Sequence, residues 1–208
     1  PVAPEVGDAL AATIGALRRA GAQLAEGWPS GMNPEEQFDA YYALLAARFT
    51  GPVREDQLAG FRQLAASQDG SYLARYARAV TASDAHMQTV ETRRRVARGV
   101  WQAYFRAYDA FLMPTALVAA FPHDQAGTPV MRVLATPRGD RPYLDLCFWT
   151  SFALLAGLPA TTAPVGFTRG GLPVGIQIVG PYLEDATPID LAGRLADVIG
   201  GFRPPPGF

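Results

Sequence analysis

GLPATTAPVGFTRGGLPVGIQIVG, residues 157–180, is the stretch on which the fold reading turns. Thr161, Thr162 and Val165 in its first part, and Val174, Ile176, Ile178 and Val179 in its second, are β-branched, the side chains that suit a pleated strand. Between them Arg169-Gly170-Gly171 supplies turn chemistry, because glycine enters positive φ without a Cβ clash. The pattern predicts two short strands joined by a turn.

Working outward, residues 144–156 read as a helix with Leu146, Trp149, Ala153 and Leu154 on roughly one side and Gly157 as its C-terminal stop. After the hairpin, Thr187-Pro188-Ile189-Asp190 reads as a helix start with Thr187 as cap, and Leu191, Leu195, Val198 and Ile199 form the apolar side. The tail from Arg203 to Phe208, with three consecutive prolines, cannot continue a helix and is expected to be a C-terminus.

The first half of the chain is helical in pattern. Pro4-Glu5 suits a helix start, and Leu10, Ile14, Leu17 and Leu24 predict an amphipathic helix of about five turns. Asn33-Pro34-Glu35-Glu36 opens a second helix through Phe38, Tyr41, Leu44 and Leu45, which Gly51-Pro52 is expected to end. A third helix is expected over residues 55–67. After Asp69-Gly70-Ser71 comes one long helical region reaching Tyr108, with Val96, Val100, Tyr104 and Tyr108 repeating every four residues opposite an arginine-rich surface. The apolar run from Ala110 to Met113, stopped by Pro114-Thr115, predicts a buried strand ending in a functional loop. Residues 115–141, rich in Pro, Gly and Ala, read as an excursion over a pocket or rim.

Composition bounds the function. With 208 residues, 49% of them hydrophobic, and a net charge of -1, the chain suits one sizeable domain or the larger part of one, with no basic footprint for nucleic acid. The single cysteine, Cys147, cannot form an intrachain disulfide. No apolar stretch reaches the ~20 residues that span a bilayer, so no membrane role is expected and the cytoplasm is the default compartment.

Chemistry is scarce. All 18 basic residues counted as Lys plus Arg are Arg, and the five serines, Ser30, Ser67, Ser71, Ser83 and Ser151, are scattered. His123 could be imagined beside Cys147 or Ser151, but no G-x-S-x-G elbow or activating context supports a triad. His86 and His123 lack metal-ligand spacing, and Gly170-Gly171 lacks a phosphate-loop context. No cofactor and no metal are implied.

The hairpin string, with GLPA before it and GLPVG-Q-VG closing it, resembles the closing segment of the amidase signature family. YDAFLMPT, residues 108–115, is similar to the family's Y-D-hydrophobic-T-P-T element, with Met113 as a departure. The opening PVAPEV resembles a family stretch that follows a strand. The resemblance implies an α/β fold, the C-terminal half of the amidase signature fold, with helices packed on part of a mixed β-sheet. Residues 1–208 would then be the C-terminal portion of a single amidase domain.

Family members use a serine nucleophile, a bridging serine and a lysine base. A chain without lysine cannot contain that triad, so the resemblance implies catalytic groups upstream of Pro1 and a chain inactive by itself. The implied reaction is hydrolysis of carbon–nitrogen bonds in linear amides, with the N-terminal half of the same protein and a small-molecule amide as partners. Pocket walls are expected from Met113, Pro114, Thr115, His123, Trp149 and Thr150, together with Phe121, Pro122, Cys147 and Phe148. Thr115 and Thr150 rank first for their hydroxyls.

Two alternatives accompany this reading. One is the subunit that liberates ammonia from glutamine for tRNA-dependent amidation; that branch often carries Asp where this chain has Cys147. The other is a non-catalytic binding or assembly domain. Exposed strand edges would favour association, so a homodimer or a poorly behaved chain is expected when the other half is absent.

Overall fold

The computed structural model describes residues 2–49, 53–67 and 69–204. The predicted hairpin is there: β4 (Ala160–Phe167) and β5 (Pro173–Val179) run antiparallel, and β1 (Phe111–Pro114) adds to the other side of β5, giving the order β1-β5-β4. The turn closes by a Gly171 N–H to Thr168 O hydrogen bond of 3.0 Å, with Gly171 at φ +80°. A bulge between Pro164 and Gly166 bends β4, and Gly166 takes φ +146° there. A separate two-stranded ribbon, β2 (Val133–Leu134) with β3 (Arg141–Pro142), is set into the otherwise irregular excursion.

Proline positions fix which way the backbone of the sheet faces. Pro164 pairs with Gly175, Pro173 with Phe167 and Pro114 with Ile176; each lacks an N–H and must occupy a site without ladder bonds to its partner. Ile176 and Ile178 therefore bond to β4, while Gln177 and Val179 bond to Met113 and Phe111. The Gly180 N–H to Pro159 O bond of 2.9 Å extends the same alternation. By that parity Leu112 turns its N–H and C=O away from β5, to the free edge of β1.

One face of the sheet, carrying Ala163, Ile176 and Ile178, packs on α1 (Pro4–Arg19) and α7 (Ala186–Ile199) through Leu10, Leu17, Leu191 and Leu195. The other face offers Met113 and Val179 to Phe152, Ala153 and Ala156 of α6 (Phe148–Ala156) and to Trp101. That cover stops short of β4, whose Ala160, Thr162 and Pro164 are exposed.

α2 (Pro34–Phe49) and α5 (Asp84–Tyr104) pack on α6, α4 (Tyr72–Val80) packs on α2, and α3 (Glu55–Ala66) packs on α4. Asn33 caps α2 as predicted: its Oδ1 accepts from the Glu35 N–H at 3.1 Å and the Glu36 N–H at 3.4 Å, while its Nδ2 donates to Glu36 Oε1 at 3.1 Å. The expected stop of α2 at Gly51-Pro52 lies outside the described residues.

Several boundaries differ from the sequence expectation. The single long helix to Tyr108 is two helices, because the Ser83 hydroxyl accepts the His86 N–H at 3.2 Å and starts α5 afresh. Its apolar face is also rotated. Val96 is 62% exposed, whereas Val90, Ala97 and the fully enclosed Trp101 face the core. Fourfold spacing alone could not distinguish the two stripes, since Ala97 is small and Trp101 stands among charged residues. α1 ends at Arg19 and leaves Leu24 in the following loop. The segment before α6 begins as a 3-10 helix, Tyr143–Cys147. The cap position of α7 is held by Asp185, and Thr187 lies inside the first turn, its hydroxyl donating to Glu184 Oε2 at 3.2 Å.

Not all of the arginine surface is simply solvated. Arg94 Nε donates to Leu155 O at 3.1 Å and Arg98 Nε to Ala156 O at 2.9 Å, so two cations satisfy the terminal carbonyls of α6. Gly157 ends that helix at φ +71° as expected, and a Cβ there would lie 3.1 Å from Arg98 Nη2.

Candidate functional site

The N-terminal turn of α6 projects Trp149 between two hollows. The first is a groove of about 620 Å³ along β1, bounded by Ile14 and Arg18 of α1, by residues 23–28 and by Tyr104 and Tyr108. Aromatic rings give it a firm wall. Trp28 stacks on Phe111 at 5.5 Å and on Trp149 at 6.0 Å, and it meets Phe152 at 4.8 Å. Tyr104 stacks on Tyr108 at 4.5 Å and donates its hydroxyl to Ala110 O at 3.3 Å. Burial, with a smaller push from Tyr108, raises the Tyr104 phenol to about 12.

The second hollow, about 120 Å³, is polar and lies on the other side of Phe148 and Trp149. Asp145 is its centre. One carboxylate oxygen accepts the Tyr72 hydroxyl at 2.7 Å, and the other accepts Arg141 Nε at 2.7 Å and lies 2.6 Å from Nη2 in an ion pair. Tyr72 is held in turn by Tyr42, whose hydroxyl donates to Tyr72 O at 3.3 Å. Arg75 lies 5.4 Å from the Tyr72 ring centre and pairs with Asp39 at 2.7 Å. Burial first, and then the hydrogen bond to the Asp145 carboxylate, drives the Tyr72 phenol far above its ordinary range. Desolvation also pushes Tyr42 up to about 12. These phenols are neutral donors at any physiological pH.

Of the candidate wall residues, Met113, Pro114 and Trp149 come together on the β1 groove. Thr115 follows at the end of β1, and its hydroxyl would lie 3.2 Å from a Cβ placed on Gly175. Its Oγ1 is buried without a hydrogen-bond partner, the one such side-chain atom among the described residues. Thr150 sits on α6 and donates to Cys147 O at 3.2 Å. His123 is exposed on the excursion and lines neither hollow; Phe121 there meets Tyr143 edge-on at 6.2 Å. Cys147 packs among the aromatic residues of α2 and α4, where burial raises its thiol.

Sequence reasoning did not single out Tyr72, Arg141, Asp145 or Trp28. Asp145 carries a readable signal, an acidic residue inside the apolar run LDLCFW. Its partner Tyr72 is distant in sequence and could not be paired with it without the fold.

Four of the five described serines are engaged with backbone groups. Ser151 is enclosed and donates to Phe148 O at 2.6 Å, Ser67 donates to Leu64 O at 2.7 Å, and Ser71 and Ser83 cap helices. Among the described residues no cluster of three or more His, Cys, Asp or Glu could hold a metal, and no helix is long and apolar enough to cross a membrane.

The Amidase family model matches residues 1–188. The chain is 30% identical over 210 residues to a glutamyl-tRNA(Gln) amidotransferase subunit of Brevibacillus brevis, covering 91% of this chain and 40% of that protein. It is 35% identical over 112 residues to the counterpart from Neisseria meningitidis, covering 54% of this chain and 21% of that one. A crystal structure of an amidase superposes with a TM-score of 0.67 at 22% identity, over 96% of this chain and 43% of its own. The chain thus spans about two fifths of the Brevibacillus protein and of that amidase structure.

Proposed function

The chain belongs to the amidase family, and from that premise we propose that it is the pocket-forming portion of a hydrolase that cleaves carbon–nitrogen bonds in linear amides. What carries this reading is that the family match runs over most of the chain while the chain contains no lysine. The Ser-Ser-Lys triad then belongs to a portion outside these residues. Its lysine draws the proton from the bridging serine, the bridging serine relays basicity to the nucleophile, and the nucleophile attacks the amide carbonyl. The amine leaves, water hydrolyses the acyl-enzyme, and backbone N–H groups beside the nucleophile hold the oxyanion.

In this reading Met113, Pro114 and Trp149 form the apolar wall for the substrate. Thr115 keeps a buried, unpartnered hydroxyl beside Gly175, Thr150 lies on the first turn of α6 and donates to Cys147 O, and His123 stands exposed on the excursion, away from both hollows. The open face of β4 supports a catalytic portion seated there, since small side chains let backbone approach closely.

The names of the relatives favour a second reading, a glutamine-using amidotransferase subunit. Electrostatics weigh against it. Cys147 is uncharged and desolvated, and the nearby Asp145 is already neutralised by Arg141, so neither has free negative charge for the ammonium of glutamine. The test is to join the chain to the coding segment immediately upstream and measure ammonia released from simple aliphatic and aryl amides and from glutamine. Turnover of the simple amides with little glutamine hydrolysis is expected. Glutamine as the preferred substrate would overturn the linear-amide reading, and an upstream segment without serines and a lysine would overturn the enzyme reading.

A further inference from the structure

We propose that a third hollow, set between α2 and α5, binds a free amino acid with a short aliphatic side chain. It shares no lining residue with the groove along β1 or with the polar hollow, so it is a site apart from the amide chemistry. Its volume is about 190 Å³, below the ~300–1,000 Å³ of drug-sized ligand sites, which sets the occupant as a small molecule. Two opposite charges border it. Arg93 of α5 and Glu36 of α2 are both exposed, yet neither forms an ion pair among the described residues, although the adjacent Arg94 is paired with Glu91.

A donor count narrows the ligand. Gln37, only 8% exposed, accepts the Trp101 Nε1 proton on Oε1 at 3.4 Å. Indole nitrogen only donates, so Oε1 is turned to Trp101 and Nε2 is the end left for a ligand; Nε2 has no partner among the described residues. Thr89 and Thr92 give their hydroxyl protons to Ala85 O and Gln88 O, which leaves Arg93 and Gln37 as the side-chain donors of this kind on the α5 side and floor. Glu36 Oε1 is held by Asn33 Nδ2 at 3.1 Å, and its Oε2 remains free to accept. A carboxylate on Arg93 and Gln37 with an ammonium on Glu36 joins two charges that do not reach each other. A ligand of one sign would instead meet an unpaired like charge, Glu36 for an anion and Arg93 for a cation. The rest of the lining is apolar: Ala97 and Leu155 are buried behind the charges, and Val96, 62% exposed, stands at the rim, where an aliphatic side chain covers it.

The test is a ligand-observed NMR titration of the full protein that the gene encodes with L-leucine, isovalerate and isoamylamine. Binding rather than turnover is read, so the outcome is independent of the amide-hydrolase reading. L-leucine should bind, and the two analogues that carry one charge each should bind at least about tenfold more weakly. Arg93→Met and Glu36→Gln, both at exposed positions and the second still able to accept from Asn33, should each weaken L-leucine at least about tenfold, while the ligand-free proteins melt within about 2 °C of wild type. No L-leucine binding up to about 10 mM overturns the proposal. Binding that both variants leave unchanged puts the ligand elsewhere and also overturns it. Isovalerate that binds as tightly as L-leucine and ignores Glu36→Gln makes the hollow a plain carboxylate site and overturns the amino-acid assignment.

Discussion

Replacing Asp145 tests whether the polar hollow is a rigid part of the site. Its carboxylate receives two hydrogen bonds, one from Tyr72 and one from Arg141 Nε, with Arg141 Nη2 in ion-pair contact at 2.6 Å, and its side chain is 15% exposed while that of Arg141 is 37% exposed. A hydrogen bond to a charged group is worth ~1.5–3 kcal/mol, but the exposure of Arg141 screens its share, which brings its contribution to about 1 kcal/mol. With the Tyr72 bond included, Asp145→Ala should destabilise by about 2–3 kcal/mol, because it also strands a buried phenol. For a chain of this size that lowers Tm by roughly 5–10 °C. The assay is thermal unfolding of Asp145→Ala, Tyr72→Phe and the double variant, on the assembled protein if the chain alone aggregates. A coupling of about 1–2 kcal/mol is expected between the two positions. Additive losses, or an Asp145→Ala cost below about 0.5 kcal/mol, would refute the network and with it the fixed shape of the hollow.

Three further outcomes follow from the same packing. Trp101→Ala should cost ~3–5 kcal/mol and Val96→Ala less than about 0.5 kcal/mol in urea unfolding; the reverse order would restore the face predicted from fourfold spacing. Gly180→Ala should cost ~1–3 kcal/mol, because a Cβ there meets Pro188 Cδ at 2.6 Å and both are held by backbone; a melting temperature equal to wild type would contradict it. Tyr42, Tyr72 and Tyr104 have folded pKa values raised above 10.0, so the folded state holds protons that the unfolded state releases. Their contribution is complete below about pH 10 and falls as pH rises beyond it, and stability measured from about pH 9 to 12 should decline less steeply in Tyr72→Phe.

Local signals carried the fold a long way. β-branched runs around Arg169-Gly170-Gly171 specify the hairpin, Asn33-Pro34 specifies the start of α2, and Gly157 specifies the end of α6, each through chemistry within a few residues. Where the structure departs from the sequence reading, the cause lies in how a side chain is used once its surroundings form. Ser83 is one polar residue among many until its hydroxyl caps α5, and Arg94 and Arg98 read as solvated until α6 brings its terminal carbonyls to them. That Met113, Pro114 and Trp149 line one groove agrees with the positions singled out from sequence, whereas the Tyr72–Asp145–Arg141 network was not legible, because its members come from elements whose pairing is set by packing.

The sequence by itself determined the family, the hairpin, most of the helices and the lack of a lysine base, because these depend on residue identity and short-range backbone preference. Tertiary structure alone decided that Trp149 separates an aromatic groove from a polar hollow and that Trp101 rather than Val96 fills the core. It also decided that the Leu112 backbone faces an open edge, which follows from strand order and register. Those outcomes depend on which faces find cover across the molecule, and that cover comes from residues far apart in the chain.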